Sequence, residues 1–344
     1  MRYVILGAGA IGATIGGLLA DSGSDVVLVA RGDHARVMSQ DGLRLAMPDR
    51  VLTIHPPVVD DVAALTLRPD DVLIITTKTQ QTADLLEAAA ALPGADQVVV
   101  MCAQNGVENE RIALRLFPHV LGCCVMLPAV HLAPGRVDAQ GVPQPGMLEI
   151  GSYPDAVTAP SGPVVDTVVE DLSAAGFLAT ARDDVMRWKY AKLLRNTGNA
   201  LTALCGADLD DDGRRIVDEL DRRAHDEGAR VLERAGIDYV PDDEWAAHRG
   251  DRVRVGTVEG RARGGGSSWQ SIQRGTGNIE SDALNGEIVL LARLHQSVAP
   301  LNEVLQREAN QLARRRGRPG EMPPAELAGR VAEWEARVSE TLGP

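Results

Sequence analysis

Aromatic side chains are scarce in this sequence: they make up 3% of its 344 residues, with only two phenylalanines. A hydrophobic core must therefore be built mainly from Ala, Val, Leu and Ile, which account for most of the 44% hydrophobic residues. The charged fraction of 24% is that of an ordinary globular protein. A chain of this length is long for one compact domain, so we expect two domains.

Basic charge is also in short supply, since the formal net charge is −13. A nucleic-acid surface needs a concentrated basic patch to contact phosphates, so we expect no nucleic-acid partner. The negative charge does not exclude an anionic small substrate, because a local pocket can be positive on an acidic protein.

The four cysteines, Cys102, Cys123, Cys124 and Cys205, form no CxxC pair and no Cys/His metal spacing. Three of them lie in apolar runs, where a cysteine usually acts as a small buried hydrophobic residue. We therefore predict no metal site and no disulfide framework. A reducing, cytoplasmic location fits this use of cysteine best.

The sequence has no uninterrupted apolar run of membrane-spanning length. The apolar stretch 3–20 comes nearest, but it contains five glycines. Each glycine costs a helix about 1 kcal/mol relative to alanine. No signal cleavage site or stop-transfer pattern follows it. We expect no membrane segment here and interpret the stretch as a strand, a turn and a helix.

In the first part of the chain, short apolar runs alternate with helical patterns. We predict strands at 3–6, 25–30, 71–77 and 98–102, helices at 11–21 and 81–91, and an exposed strand or hairpin at 42–53. Strands alternating with helices at this spacing predict right-handed crossovers and a mainly parallel, doubly wound sheet. This α/β domain is predicted to cover residues 1–180.

The pattern becomes helical almost throughout after residue 183. We predict helices at 185–204, 213–235, 279–295 and 302–316. These form an all-α domain over 181–316, whose apolar stripe could pair as a homodimer. The Pro-, Glu- and Arg-rich extension 317–344 adds one amphipathic helix at 324–342.

A glycine fingerprint, GAGAIG, follows the first predicted strand and opens the first predicted helix. The residues expected to bind a cofactor there are Gly7, Ala8, Gly9, Ala10, Ile11 and Gly12. The first glycine permits a tight turn, the second lets the backbone approach a pyrophosphate, and the third lets the helix pack on the strand. The free N–H groups of the helix start then bind the anion. In this context the motif predicts a Rossmann-type dinucleotide site.

The end of the second strand indicates which dinucleotide binds. NAD enzymes usually place an acidic residue there, to bind the ribose 2′-hydroxyl. This chain has Arg31 instead, with Arg36 soon after. A guanidinium pairs bidentately with a 2′-phosphate, so the sequence favours NADP(H) over NAD. The other interpretation is that Arg31 is a solvated loop residue.

Several segments together resemble the ketopantoate reductase (2-dehydropantoate 2-reductase) family. They are GAGAIG at 7–12, Arg31, Lys78 after IITT, QNG at 104–106, KLLRN at 192–196, the serines 267 and 268, and ESDALNG at 280–286. Each motif alone is common, but they follow the family's order across residues 1–310. The resemblance implies reduction of a 2-oxoacid by NADPH.

The resemblance assigns Lys192 as the general acid that protonates the substrate carbonyl. An ammonium group suits that role when partial burial brings its pKa toward the working pH. Asn196 and Asn199 follow at spacings i+4 and i+7, which predicts one helix face carrying all three for substrate binding. Lys189, directly after Trp188, is a competing choice for the acid, although the string KLLxN favours Lys192.

The resemblance also supplies the remaining site residues. Glu280 matches a carboxylate that contacts substrate and helps to hold the lysine, and Ser268 matches a serine that meets the substrate carboxylate. Asn105 follows the strand at 98–102, where it could reach both the nicotinamide ribose and the substrate. Lys78 ends the preceding strand and suits cofactor binding.

The chain departs from the family pattern beyond the lysine. The family has asparagines at +4 and +8 from the lysine, whereas here they fall at +4 and +7. The change lies on the substrate side, so it leaves the reaction type unaltered. We therefore predict NADPH-dependent reduction of 2-dehydropantoate to pantoate, on the way to pantothenate and coenzyme A. The alternatives are a reductase of another 2-oxoacid or an imine, and a non-catalytic NADP-binding sensor.

Overall fold

The computed structural model describes residues 1–154, 162–261, 265–275 and 277–342. The chain divides into two compact units: Met1–Lys189 with Val240–Arg263, and Tyr190–Tyr239 with Gly264–Pro344. The boundary falls inside a helix, and a later segment of the chain returns to the first unit. The division into domains at residues 180 and 316 therefore stays a prediction.

Fourteen strands lie in the described part of the chain. They are β1 Arg2–Leu6, β2 Asp25–Val29, β3 Leu43–Ala46, β4 Val51–Ile54, β5 Val58–Val59, β6 Asp71–Ile75, β7 Val99–Cys102, β8 Val120–Met126, β9 Ala129–Ala133, β10 Arg136–Ala139, β11 Gly141–Pro143, β12 Met147–Tyr153, β13 Leu178–Ala181 and β14 Val253–Val255.

The α-helices of the same residues are α1 Ala10–Asp21, α2 Gly32–Asp41, α3 Thr82–Ala90, α4 Asn109–Leu114, α5 Gly162–Ala174, α6 Val185–Asn196, α7 Asn199–Cys205, α8 Asp211–Ala235, α9 Asp242–Arg249, α10 Ser267–Gln273, α11 Asn285–Leu294, α12 Pro300–Arg314 and α13 Pro324–Leu342. Short 3-10 turns cover Val62–Ala64, Thr79–Gln81 and Glu280–Ala283.

The main sheet of the first unit has eight strands in the order β13-β12-β8-β7-β6-β1-β2-β5. Its neighbours pair in parallel except β12 with β8. Side chains alternate between its faces: Tyr3 and Ile5 join one apolar cluster, while Val4 and Leu6 join another. Residues of α1 and α5 lie in the first cluster and residues of α3 and α4 in the second. This two-sided, mainly parallel sheet confirms the predicted α/β fold class.

The hairpin expected near residues 42–53 is present as β3 and β4, which pair antiparallel. The prediction that it is exposed was wrong for β3, whose Leu43 and Leu45 are fully buried, but right for β4, whose residues are exposed to half-buried. The pair belongs to a second sheet, in the order β4-β3-β10-β9, that packs against α1. A Cβ on Gly17 of α1 would lie 3.0 Å from Leu43 Cδ2, so small helix residues admit this close packing.

The segment 240–261 does not continue the helical pattern predicted after residue 183. Its strand β14 pairs antiparallel with β11, and the α9 residue Trp245 is buried against Trp188, with ring centroids 5.8 Å apart. These contacts place the segment in the first unit. Non-local pairing of this kind leaves no periodic signal in a three-residue strand.

The described part of the second unit contains helices and no strand. Its core gathers buried residues of α7, α8 and α12 with those of α13, among them Leu220, Leu305, Leu327 and Val331. The predicted C-terminal helix therefore packs into this core, and residues 343–344 lie outside the described part. No helix among the described residues is both long and apolar enough to cross a membrane.

Candidate active site

The loop between β1 and α1 has the geometry that its glycines predict. Gly7 has a φ of +103°, and a Cβ there would lie 2.5 Å from Thr77 Cγ2. A Cβ on Gly12 would lie 2.3 Å from Thr76 Oγ1. A Cβ on Gly9 would meet no described atom within 4 Å. The fold itself requires glycine at the first and third positions, whereas Gly9 leaves open space.

That open space lies at the start of α1. Gly9 is the N-cap residue, so no side chain caps the helix. The first N–H groups of a helix have no intrahelical partner and carry partial positive charge. Ala8 is buried before the cap, and Ala10 and Ile11 are half-buried after it. The loop therefore fits the pyrophosphate of a dinucleotide, which needs N–H donors and close backbone approach.

A histidine that the sequence did not single out braces this loop. The Gly135 N–H donates to His34 Nδ1 at 2.8 Å, so the proton of the neutral ring sits on Nε2. Nε2 then donates to the Ala8 carbonyl at 2.6 Å. Burial lowers the pKa of His34 and so favours this neutral form. No motif or spacing could have found the contact, since its partners are main-chain atoms.

The predicted cofactor residues of the first unit lie at one edge of the main sheet. The glycine loop follows β1, Arg31 follows β2, Lys78 follows β6 and Asn105 follows β7. These strands are parallel neighbours in the order β7-β6-β1-β2. Ligands of open α/β sheets bind at this carboxyl edge. Thr77 Oγ1 in the same edge is buried and makes no hydrogen bond to a described residue, so a bound ligand could satisfy it.

Arg31 and Arg36 differ in how their side chains are engaged. Arg36 donates to Asp33 at 3.2 Å and to Gln40 at 3.1 Å. Arg31 is the exposed N-cap residue of α2, and none of the contacts among the described residues involves its side chain. Arg31 is thus the cation available for an anionic ligand at the end of β2.

The helix that carries Lys192 ends earlier than expected. The sequence pattern predicts one helix over 185–204, with Asn196 and Asn199 on the same face as the lysine. Instead α6 ends at Asn196, and Asn199 begins a separate helix, α7. The prediction of one continuous helical face was therefore wrong for Asn199, although Lys192 and Asn196 do share α6.

The two residues between these helices explain the break. Both the N–H and the Oγ1 of Thr197 donate to the Leu194 carbonyl, at 3.2 and 2.6 Å, which tightens the last turn of α6. A Cβ on Gly198 would lie 1.8 Å from Asp221 Oδ1, so α8 packs directly on this glycine. Local hydroxyl bonding and a tertiary contact together override the helical periodicity.

The two lysines of α6 lie in different surroundings. Lys189 is 3% exposed, forms an ion pair with Glu110, and donates to the Gln104 carbonyl at 3.2 Å. Burial acts to lower the pKa of Lys189, but the charge and hydrogen bond of Glu110, together with the neighbouring Cys102 and Cys123, raise that pKa overall. Lys192 is half-buried. A general acid needs access to substrate and a pKa near the working pH, and Lys189 offers neither.

Two asparagines that the sequence predicts as substrate-binding residues, Asn196 and Asn199, lie in the second unit. Asn196 Nδ2 is buried and makes no hydrogen bond to a described residue. A buried donor without a hydrogen bond costs about 1–3 kcal/mol. A ligand oxygen that accepted a hydrogen bond from this donor would remove that cost. A Cβ on Gly266 would lie 3.3 Å from Asn199 Oδ1, so Asn199 borders the chain that leads into Ser268.

Ser268 and Glu280 both lie at starts of helical turns. Ser268, in the first turn of α10, is 3% exposed, and the half-buried Glu280 opens a 3-10 turn. Five residues after Glu280, Asn285 Nδ2 donates to the Thr197 carbonyl at 2.9 Å. This bond ties the end of α6 to the Glu280 segment. Within the second unit, the segment of Glu280 is therefore joined to the helix that carries Lys192 and Asn196.

Two family models match the chain. One, described as Ketopantoate reductase PanE/ApbA, covers residues 3–155, and its C-terminal counterpart covers 184–313. The 2-dehydropantoate 2-reductase of Pyrococcus horikoshii is 30% identical over 312 residues, which are 89% of this chain and 95% of that protein. The enzyme of the same name from Halobacterium salinarum is 29% identical over 320 residues, with 89% and 96% covered.

Solved structures share the fold. The crystal structure of a PanE/ApbA family ketopantoate reductase from Ralstonia eutropha has a TM-score of 0.73 at 26% identity, covering 92% of this chain and 99% of that one. The ternary structure of D-mandelate dehydrogenase with NADH and anilino(oxo)acetate has a TM-score of 0.78 at 21% identity, with the same coverage. At 21% identity, the similarity to D-mandelate dehydrogenase shows a shared fold and nothing more.

The glycine loop, the sheet edge and these matches define an oxidoreductase that uses a nicotinamide dinucleotide. The chain belongs to the ketopantoate reductase family. Membership confirms the resemblance drawn from the separate motifs, and with it the prediction of an NADP-dependent oxidoreductase in place of a non-catalytic binding protein.

Proposed function

We propose that this chain reduces 2-dehydropantoate to pantoate with NADPH. The observation that supports this most strongly is the match to relatives of that name along almost their whole length. Bound NADPH would supply the hydride to the ketone carbon. The chain must then donate a proton to the ketone oxygen and hold the substrate in place. The product would enter pantothenate and coenzyme A synthesis.

Lys192 is the proton donor in this proposal. Its position on α6 is half-buried, so the ammonium is sheltered and still accessible to a small substrate. Glu280 is the carboxylate that orients the ammonium and accepts from a substrate hydroxyl. The competing lysine, Lys189, is already bound to Glu110 and to the Gln104 carbonyl.

The other side chains of the second unit would hold the substrate. The unpaired amide of Asn196 would donate to a carboxylate or hydroxyl oxygen, and Asn199 would contribute from the start of α7. The Ser268 hydroxyl, in the first turn of α10, would meet the substrate carboxylate. In the first unit, Asn105 would reach both substrate and nicotinamide ribose, and Lys78 the cofactor.

Arg31 sets the preference for NADPH over NADH in this proposal. Replacing Arg31 by alanine removes the charged hydrogen bonds to a 2′-phosphate, each worth about 1.5–3 kcal/mol. We expect the Kd for NADPH to rise about 10- to 100-fold, while that for NADH changes little. Titration of both dinucleotides into both proteins measures this selectivity.

Arg36→Ala provides the matched control, because that arginine is occupied by Asp33 and Gln40 on the same helix. It should leave both dissociation constants near those of the parent protein. Equal losses of NADPH and NADH affinity in Arg31→Ala would show that Arg31 does not read the 2′-phosphate.

The substrate assignment is tested by NADPH oxidation with a panel of 2-oxoacids. Ketopantoate should have the highest kcat/KM, because its carboxylate, ketone and hydroxyl match Ser268, Lys192 and the Asn196–Glu280 pair. Turnover of other 2-oxoacids without turnover of ketopantoate would overturn the assignment and leave the reductase chemistry in place.

One observation favours a second candidate, reduction of another 2-oxoacid or an imine. The second asparagine falls at +7 from Lys192 and opens a new helix, so the substrate side differs from the family pattern. The panel above, extended to imines of the same 2-oxoacids, decides between the two. A homodimer and a cytoplasmic location remain part of the proposal.

A further inference from the structure

A group of buried polar side chains lies beneath the two loops that follow β6 and β7. Thr82, Gln104, Asn109 and Glu110 are at most 5% exposed, and so is Lys189 of α6. The sequence motifs explain none of them except Gln104. Burying polar groups is costly unless they form hydrogen bonds. Each of these five side chains bonds to another member of the group, although Gln104 Oε1 and Glu110 Oε2 make no hydrogen bond to a described residue.

Asn109 connects the two loops. Its Nδ2 donates to the Asn105 carbonyl and to Thr79 Oγ1, each at 3.2 Å. Its Oδ1 accepts from Thr82 Oγ1 at 2.8 Å and from Gln104 Nε2 at 3.2 Å. Because Thr79 directly follows Lys78, one fully buried amide holds the Asn105 main chain and the side chain next to Lys78.

Lys189 binds the preceding carbonyl of the same loop, that of Gln104. Its Nζ donates to the Gln104 carbonyl at 3.2 Å, while Glu110 balances its charge. Consecutive carbonyls, those of Gln104 and Asn105, are thus each held by a buried side chain.

We propose that Lys189, paired with Glu110, and Asn109 are positioning residues that fix the main chain on which Asn105 is mounted. The inference rests on the proposed role of Asn105 in binding cofactor and substrate. Buried ion pairs are often no more stabilising than apolar side chains of equal volume. Their value here is geometric, because they define where two successive peptide groups lie.

The test is a double-mutant cycle. The paired variant Lys189→Met with Glu110→Gln removes the bond to the Gln104 carbonyl and leaves no unbalanced charge. We expect it to lower kcat/KM with ketopantoate about 10- to 100-fold, the scale for a displacement on the order of 1 Å. If the pair acts through Asn105, the same two substitutions in an Asn105→Ala background should cost less than about 3-fold.

A matched control comes from another buried pair in the same unit. Arg2 donates to Asp71 at 2.6 Å at the amino ends of β1 and β6, remote in the sheet from the loops. The paired variant Arg2→Met with Asp71→Asn should lower the free energy of unfolding to a similar extent. It should leave kcat/KM near the parent value, with or without Asn105→Ala.

Equal losses with and without Asn105→Ala would overturn the inference, because additivity means that the pair acts elsewhere. Should the paired variant fail to fold, Asn109→Ala is judged by the same criterion. Titration of NADPH into each variant repeats the cycle without turnover. If the parent protein does not reduce ketopantoate, the proposed function fails, whereas additive NADPH affinities would count against the positioning role alone.

Discussion

Replacing Lys192 by alanine lowers kcat about 10²- to 10⁴-fold, the range of a lost general acid. The ketone oxygen must receive a proton as the carbon is reduced, and the proposal assigns the delivery of that proton to the half-buried Lys192. Lys189 is engaged with Glu110 and the Gln104 carbonyl. NADPH affinity should be preserved, because the proposed cofactor residues belong to the first unit.

Rapid-mixing kinetics with saturating NADPH and ketopantoate measures the chemical step in this variant. Arg195→Ala is the matched control: it removes another cation of α6, one that donates to the Ala191 carbonyl of its own helix at 3.0 Å. It should leave kcat near the parent value. A Lys192→Ala enzyme with parental kcat would refute the assignment. If, in addition, the paired variant Lys189→Met with Glu110→Gln lost kcat about 10³- to 10⁴-fold, Lys189 would be the acid.

Two alanine substitutions in the glycine loop should have opposite consequences. Gly12→Ala places a Cβ 2.3 Å from Thr76 Oγ1 and 2.5 Å from the Gly7 carbonyl oxygen. Such overpacking costs about 1–3 kcal/mol of unfolding free energy, or more where main chain must move. Gly9→Ala places its Cβ in open space at a φ of −74°, which alanine adopts readily.

For Gly9→Ala we expect a change in unfolding free energy below about 1 kcal/mol, because a weaker N-cap and a less flexible unfolded chain offset each other. The methyl group would stand where the backbone meets the pyrophosphate, so NADPH affinity should fall at least about 10-fold. Denaturant unfolding and NADPH titration measure the two effects. Gly162→Ala, at the exposed start of α5 where a Cβ meets no described atom within 4 Å, is the control.

If Gly9→Ala bound NADPH as tightly as the parent protein, the loop would not be the pyrophosphate site. If Gly12→Ala were as stable as the parent protein, the packing of α1 against β1 and Thr76 would not require glycine at this position. The two substitutions therefore separate the loop's structural role from its binding role.

The spacing of hydrophobic residues along the sequence predicts most of the strands and helices of the fold. The strands around Val4, Val27, Leu73 and Val100 were predicted from continuous apolar runs, because a parallel sheet buries both faces of its strands. The long helices α8 and α12 were predicted from their apolar stripes. The antiparallel strands β8 and β12 were not predicted, nor was the pairing of β9 and β10 with the β3–β4 hairpin in the second sheet, because these pairings link residues far apart in sequence.

The motifs correctly predicted where the candidate site residues lie along the strands and helices. They predicted the geometry of those residues less well. They indicated the glycine loop, Arg31, Lys78 and Asn105 as residues following strands, and the observed strand order makes those strands neighbours. They failed at Asn199, where the Thr197 hydroxyl and the contact of Gly198 with α8 end the helix.

The supporting residues could not be predicted from sequence at all. His34 bonds to main-chain atoms, and Asn109 bonds to one main-chain atom and three side-chain atoms. A single sequence gives no sign of such contacts. The sequence leaves Lys189 as an alternative general acid, because it does not reveal which residues surround this lysine in the fold. Its buried partner, Glu110, is 79 residues away along the chain.

The most direct test of the central claim follows the hydrogen itself. The protein is given ketopantoate and NADPH that carries deuterium on the transferred position of the nicotinamide ring, and the product is examined by mass spectrometry. Hydride transfer from NADPH to ketopantoate predicts pantoate with one deuterium on the carbon that was the ketone. NADPH oxidation without labelled pantoate, or no oxidation at all, would contradict it.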